Sequence, residues 1–564
     1  MTTHRTRRRW WWLGGAIAAA LVASLTAVLL KPRLERAIHE RIVSAAVRHG
    51  MVVRIGAVRV GLWPFLRLSD FDLDVGHGVR LHADLVAATY PGRLRLAVRT
   101  GNLSGPAGFT VSSTATAWYV AGIRGDGDLQ VALVEPQAGL SIRKLTDSAG
   151  SGWNVEARGL DIGHLFDVRR EGSPILDGGI ADGRVNLRTS TDALLFHVDI
   201  GARGARFGAL AEASGDELKL GDSTDVTLRF DGAWQRAEGT IEIPELHGSL
   251  AGAELSGSIT LRMDNDPSVD LALGVRQLEF GRVLGAAGLA VPDSLRVAPG
   301  SSDLGTATIE VRVRGRLAEP ATVAVSQEIE FSPPSQMPAA ISRLRGDFVF
   351  RADDGRGPQH PIDVSPSSPD YIPLHDVPPL FVRTLLLAED AGFYGHRGID
   401  LRELPTALLT NWARGGAARG ASTITQQLAK NLFLARDKEV GRKLQELAIT
   451  FLLESALGKD RILEIYLNII EWGPGLRGLR PAAHHYFDCE PQALTPAQMA
   501  FLVAIIPGPI KYQRSFAHGT PGPGLRLLID NLLAKLRSVQ AIDEDEYQRA
   551  LDDPIVVTGG EQPG

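Results

Sequence analysis

A single cysteine, Cys489, stands in 564 residues. One thiol excludes an internal disulfide framework and any site built from several thiolates, and it reads as an inert packing residue. A basic surplus is missing too: 60 Lys and Arg face 65 Asp and Glu, for a formal charge of −5. Proteins that grip nucleic acid by its phosphates carry the opposite balance, so no nucleic-acid partner is expected. Helical periodicity is lacking over the long middle of the chain, which argues against Rossmann and TIM architectures. An apolar run long enough to cross a bilayer occurs once.

That run is WWWLGGAIAAALVASLTAVLL, residues 10–30. About twenty apolar residues match the roughly 30 Å of hydrocarbon that a helix must cross. Trp10, Trp11 and Trp12 sit where an interfacial aromatic belt belongs. The following KPRLER lacks the small residues of a cleavage site, so the expectation is an uncleaved anchor. Arg5, Arg7, Arg8 and Arg9 outweigh Lys31, Arg33 and Arg36 beyond the span. The positive-inside rule then puts residues 1–9 in the cytoplasm and the bulk of the chain in the periplasm.

From about Val52 to Phe350, apolar and polar residues alternate over short runs such as VVRIGAVRVGL and LRLSDFDLDV. Gly, Asp and Asn punctuate them, which is strand patterning with turn signals. A large, mostly antiparallel β region is expected over 31–350. Its rhythm of Gly, strand and strand resembles AsmA-like envelope proteins, which implies a long curved sheet with an apolar inner face. SIRK (Ser141 to Lys144) fits the S-x-x-K pattern of penicillin-binding enzymes, but the companion motifs are not placed downstream, and it reads as a chance match. Residues 351–370, rich in Pro, Gly, Ser and Asp, read as a linker. Residues 371–550 turn helical, and 551–564 form a tail too short for a second catalytic domain, so no transpeptidase is expected.

In the helical part Pro378 and Pro379 open one helix and Ser422 reads as the N-cap of another. In DKEVGRKLQELAITFLLESAL, the residues Val440, Leu444, Leu447, Ala448 and Phe451 form one buried stripe. Arg442, Lys443 and Glu446 stand together elsewhere on that helix. Such a trio is either a surface ion-pair cluster or a phosphate clamp with a carboxylate beside it.

Four signatures in order, EDAGFYGHRG, GASTITQQLAKNL, RKLQE and KDRILEIYLNIIEWG, resemble those of family 51 peptidoglycan glycosyltransferases. GLRGLRPAAHHYF and the EWG triplet resemble the monofunctional members. The resemblance implies an all-α, lysozyme-like domain that polymerises lipid II into β-1,4-linked glycan with inversion, releasing undecaprenyl pyrophosphate. It implies Glu389 as general base and Glu446 as the second essential carboxylate. Lys430, Arg442 and Lys443 are implied around the pyrophosphate. Ser422, Thr423, Gln426, Gln427 and Asn431 are implied as substrate contacts mixed with support of the cleft. Asp390, Phe393, His396, Gly398, Glu464, Tyr466 and Asn468 read as the residues that hold the motifs in shape, and His484 and His485 as packing. Departures are small: Ala421 replaces a common glycine and Gly441 loosens a helix start.

The resemblance leaves room for a divalent cation, Mg or Mn, near Glu446, and requires no organic cofactor. Lipid II, the growing glycan strand, membrane lipid and other cell-wall synthesis proteins are the partners it implies, at the inner membrane with the catalytic domain periplasmic. Two other readings remain: a lipid-binding or scaffold protein led by its β region, and a lytic glycan-cleaving enzyme. A piece beginning after Asp354 is expected to keep some activity.

Overall fold

The computed structural model describes residues 31–558 except the connections between elements before residue 173, and 191, 208–220, 299, 320–321, 353–360, 403–421 and 435–439. The span expected at 10–30 and the helix expected from Leu401 to Ala413 lie largely outside those residues. Among the described residues no helix is long and apolar enough to cross a membrane. The chain folds as two compact units. One takes Met1–Arg276 with Gly285–Leu289 and Val313–Ala318; the other takes Gln277–Leu284, Ala290–Arg312 and Glu319–Gly564.

In the first unit a helix, α1 (Lys31–Arg48), precedes an antiparallel sheet that runs from β1 (Val52–Val60) to β17 (Ser268–Glu279). Alternation in sequence becomes a two-faced sheet because successive side chains point to opposite sides. Its later strands are β12 (Ile180–Thr189), β13 (Ala193–Phe207), β14 (Thr224–Gln235), β15 (Thr240–Leu250) and β16 (Ala253–Arg262). Their register lines up Val185, Val198, Phe230, Leu246, Gly257 and Leu273 in one apolar row. One residue along, Arg184, Asp199, Arg229, His247 and Ser256 make a polar row on the opposite face. Arg229 and Asp199 pair there at 2.6 Å. SIRK lies within a strand, Gly139–Asp147.

After β17 come a short helix α2 (Phe280–Ala286), β18 (Thr306–Arg316) and β19 (Ala324–Ser332). The range read as a linker falls inside the second unit, where β20 (Phe348–Phe350) pairs with β21 (Ile362–Val364). Leaving single turns aside, the later helices of this unit among the described residues are α3 (Pro379–Glu389), α4 (Ile424–Phe433), α5 (Val440–Ala456), α6 (Lys459–Ile469), α7 (Leu479–Phe487), α8 (Pro496–Ile505), α9 (Pro523–Ser538) and α10 (Glu544–Asp552). Within 371–550 the all-α expectation is corrected by a short hairpin, β22 (Glu471–Gly473) with β23 (Leu476–Arg477). Pro474–Gly475 forces that turn, since Gly475 takes φ +72°, where a Cβ is strained.

α8 is apolar on nearly every side and is correspondingly buried, with Ala497, Ala500, Phe501, Leu502, Val503 and Ile505 at or near zero exposure. Around it pack Phe381 of α3, Tyr486 of α7 and Leu533 of α9, all fully buried. α3, α4, α5 and α6 carry the four signatures of the catalytic resemblance at their ends and faces.

Candidate active site

Glu389 is the last residue of α3, which opens with Pro379 at its first turn. Its Oε2 accepts a hydrogen bond from Gln427 Nε2 at 2.7 Å. The orientation of that amide follows from Tyr466, whose hydroxyl donates to Gln427 Oε1 at 2.8 Å. Burial, and then the charges of Glu389 and Asp390, push the Tyr466 phenol well above its usual range, so it stays a donor. Gln427 must therefore turn its NH2 towards the carboxylate. Burial is also the largest influence on Glu389 and raises its pKa; the Gln427 bond opposes this and the neighbouring charge of Asp390 adds to it.

Asp390 turns away from Glu389 into the fold. Its Oδ2 accepts from the Ile424 amide at 3.0 Å, at the start of α4. Its Oδ1 meets His396 Nε2 at 2.8 Å, and His396 Nδ1 accepts from the Gly398 amide at 3.1 Å. An accepting Nδ1 leaves the proton on Nε2, so His396 donates to Asp390. Both side chains are almost fully buried. Gly398 takes φ +90°, and a Cβ there would stand 2.5 Å from Thr450 Cγ2, so the motif closes only on glycine.

α4 starts one residue later than the sequence implies. Thr423, not Ser422, is the N-cap: its Oγ1 accepts from the Gln426 amide while Gln426 Oε1 accepts from the Thr423 amide. Gln426, three residues on, completes a capping box that Thr425 could not complete for Ser422. Thr423 also donates to the Gly398 carbonyl at 2.6 Å, tying α4 to the EDAGFYGHRG loop. Thr423 and Gln426 are buried and engaged with each other. Asn431 donates to the Gln427 carbonyl one turn back, and Lys430 is exposed on the same helix.

Freed from capping, the Ser422 hydroxyl accepts from Lys443 Nζ at 3.0 Å. Lys443 also pairs with Glu446 at 2.5 Å. Glu446 is only 4% exposed, which rules out the surface-cluster reading of the RKLQE trio. A buried carboxylate needs a cation, and the trio is organised around that need. Arg442 supplies a further cation whose buried Nε has no hydrogen-bond partner among the described residues. A buried guanidinium N–H is a ready donor to an anion. The Val440 side chain lies outside the described residues; Ala448 and Phe451 of its stripe are buried, while Leu444 and Leu447 are half-buried.

Among the described residues no three or more His, Cys, Asp or Glu side chains converge on a point. Glu464 accepts from the Leu374 amide and from Arg461, and Asn468 pairs through both ends of its amide with the backbone of Ile372. Phe393 is buried beneath Lys459, whose ammonium lies 4.4 Å from the ring centroid. The sequence reading passed over Lys459 and Glu454. Lys459 donates to Glu454 at 2.7 Å, and Thr425 donates to the same oxygen at 2.5 Å. Lys459 opens the KDRILE motif, so a signal existed; Glu454 carried none.

A family model described as Transglycosylase matches residues 359–520. Three curated relatives carry the name biosynthetic peptidoglycan transglycosylase. That of Nitrosomonas eutropha is 50% identical over 130 residues, which cover 23% of this chain and 53% of the relative. That of Methylobacillus flagellatus is 48% identical over 132 residues, covering 23% and 58%. That of Azoarcus sp. is 40% identical over 166 residues, covering 29% and 70%. The chain thus spans little more than half the length of the first two. A solved structure, Penicillin-Binding Protein 1A from Haemophilus influenzae, matches 38% of this chain and 21% of that one at 18% identity, with a TM-score of 0.19, too low to bear on the fold. With 70% of the Azoarcus protein covered at 40% identity and the four signatures inside or beside the matched span, the chain belongs to the transglycosylase family.

Proposed function

We propose that the protein is a peptidoglycan glycosyltransferase that polymerises lipid II, with Glu389 as its general base. The observation that carries this is the arrangement around α4. One end of that helix presents Gln427 to a carboxylate of raised proton affinity, and Ser422 at its start meets the cation–carboxylate cluster of α5. In the reaction the C4 hydroxyl of the acceptor sugar loses its proton to Glu389 as its oxygen attacks the donor anomeric carbon. The bond from that carbon to the lipid pyrophosphate breaks, and its electrons leave with the pyrophosphate. Attack opposite the leaving group gives inversion without a covalent enzyme intermediate. A positioned general base is worth about 10²–10⁴-fold, and a carboxylate of raised pKa takes that proton better than an ordinary glutamate.

Arg442, Lys443 and Lys430 stabilise the charge on the departing pyrophosphate, where preorganised cations do most. Glu446 holds Lys443 in place. Where a divalent ion takes part, Glu446 would hold it, and the ion would supply positive charge to the substrate phosphates. A pyrophosphate leaving group needs no protonation, which separates this site from a glycosidase pair of acid and base. The biosynthetic name shared by the relatives supports the same side of that choice. Lipid-linked substrate places the work at a membrane surface, with 10–30 as the anchor and the catalytic unit periplasmic. The one apolar and one charged face of the β sheet supports an AsmA-like character for that region.

The test is polymerisation of labelled lipid II by the full chain in detergent. Wild type should build glycan strands, and Glu389→Gln should lose about 10²-fold or more of the rate. Absence of strands from wild type, or equal rates in the variant, overturns the assignment.

A further inference from the structure

The matched family span begins at residue 359, yet several groups that hold the catalytic motifs lie upstream of it. Gln327, on β19, donates from Nε2 to the Ile399 carbonyl at 2.7 Å and accepts at Oε1 from the Leu401 amide at 2.7 Å. Ile399 directly follows Gly398, the residue on which the EDAGFYGHRG loop closes. The side-chain amide thus pairs with backbone on both sides of one residue, as a neighbouring strand would. Inside the matched span the Asn468 amide pairs with the N–H and C=O of Ile372 itself.

Four residues further along β19, Phe331 stacks on Phe451 of α5, with centroids 5.4 Å apart and planes at 16°. Phe280, from the start of α2, packs against both rings at 6.2 and 5.6 Å. Phe280 and Phe451 are almost wholly buried. The Ala290 carbonyl accepts from Gln445, between the Lys443 and Glu446 of the cation cluster, at 2.7 Å. Arg345 donates to the carbonyl of Ala456, the last residue of α5. All these residues belong to the second compact unit.

We infer that residues 277–284, 290–312 and 319–345 form a brace built into the catalytic unit, with Gln327 as a positioning residue for the loop that carries Glu389. The chain of contact is short. Gln327 fixes Ile399 and Leu401; Gly398 beside them binds Thr423 and His396; His396 binds Asp390, next to Glu389. Phe280, Phe331 and Ala290 fix the helix that carries the cations. The two halves of the site, base and pyrophosphate clamp, are therefore held by residues upstream of the matched family span. This inference rests on the glycosyltransferase reading for its kinetic test, so a second readout independent of activity accompanies it.

The full-length variant Gln327→Met keeps the side-chain length and removes both bonds. Glu328→Gln, exposed on the same strand, serves as control. In lipid II polymerisation Gln327→Met should lose about 10- to 100-fold in kcat, the scale on which a misplaced reacting group costs rate. KM should stay within about threefold and the control should match wild type. Amide hydrogen exchange at Leu401 should accelerate in Gln327→Met alone. Phe331→Leu, which trims the other half of the brace, should also lower kcat. Wild-type kcat with unchanged Leu401 exchange in Gln327→Met overturns the inference, as does a loss shared by Glu328→Gln. A wild type that makes no glycan sinks the functional reading instead, and leaves the exchange result to decide the brace.

Discussion

Glu389 owes its proton affinity to a balance of three influences: burial and Asp390 raise its pKa, while Gln427 lowers it. Removing the lowering partner has a definite sign. In Gln427→Leu the carboxylate loses its one hydrogen-bond donor among the described residues, and its pKa rises further. The acid limb of kcat/KM against pH, which reports the free base, should move to higher pH than in wild type, and an unmoved limb would remove Gln427 from that role. Stability carries the complementary signature. The folded state binds the Glu389 proton more tightly than the unfolded chain, so the contribution of that carboxyl is fully present below its unfolded pKa. It is lost as pH rises through the folded one. Glu389→Gln should therefore raise Tm at neutral pH, and the gain should fade in a melt at pH below the ordinary glutamate range. The identity of Glu389 was legible from its motif. The tuning was not, because Gln427 lies 38 positions away and Tyr466 another 39 beyond it.

At the scale of elements, α4 is the joint. Its cap Thr423 serves its own helix and the Gly398 carbonyl of the preceding loop at once. Thr423→Ala removes both and should cost about 1–2 kcal/mol, the usual range for a lost cap. For a unit of this size that is a drop in Tm of about 2–8 °C, read by calorimetry. Thr423→Ser keeps the hydroxyl and should recover most of the loss; an equal loss in both variants would mean that packing of the methyl, not the cap, is responsible. The sequence placed this cap at Ser422, one residue early, since both hydroxyl residues precede the apolar pattern. The deciding signal was Gln426, which stands at the third helical position only if Thr423 is the cap. Helix α3 was easier, because a Pro-Pro start followed by an apolar run leaves little freedom. The EWG hairpin was missed because three residues carry no strand periodicity; only Pro474–Gly475 announced it.

For the whole molecule, strand alternation made the β sheet legible over hundreds of residues, since one physical rule, period two, repeats in every strand. What alternation cannot tell is which strands belong to which compact unit. β19 has the same texture as β14, yet its Phe331 and Gln327 attach to catalytic elements through contacts more than 70 residues distant in sequence. A cut placed by composition at residue 354 therefore passes through the second unit, which reaches back to Gln277. A chain beginning after Asp354 would lose Phe280, Phe331, Ile341 and Leu344, and would leave Phe451 without its stacking partners. Phe280, Ile341 and Leu344 are almost fully buried, and burial of each such side chain is worth about 1.5–3 kcal/mol, so the three amount to about 4.5–9 kcal/mol. That sum is comparable to the whole stability of an ordinary domain, about 5–15 kcal/mol. On that reckoning such a piece should lose its fold, and its activity with it. A chain beginning at Gln277 should melt cooperatively, whereas one beginning at Gly355 should bind a hydrophobic dye and show no cooperative melt. Equal, cooperative unfolding of the two pieces would show that the upstream residues decorate the catalytic unit rather than complete it.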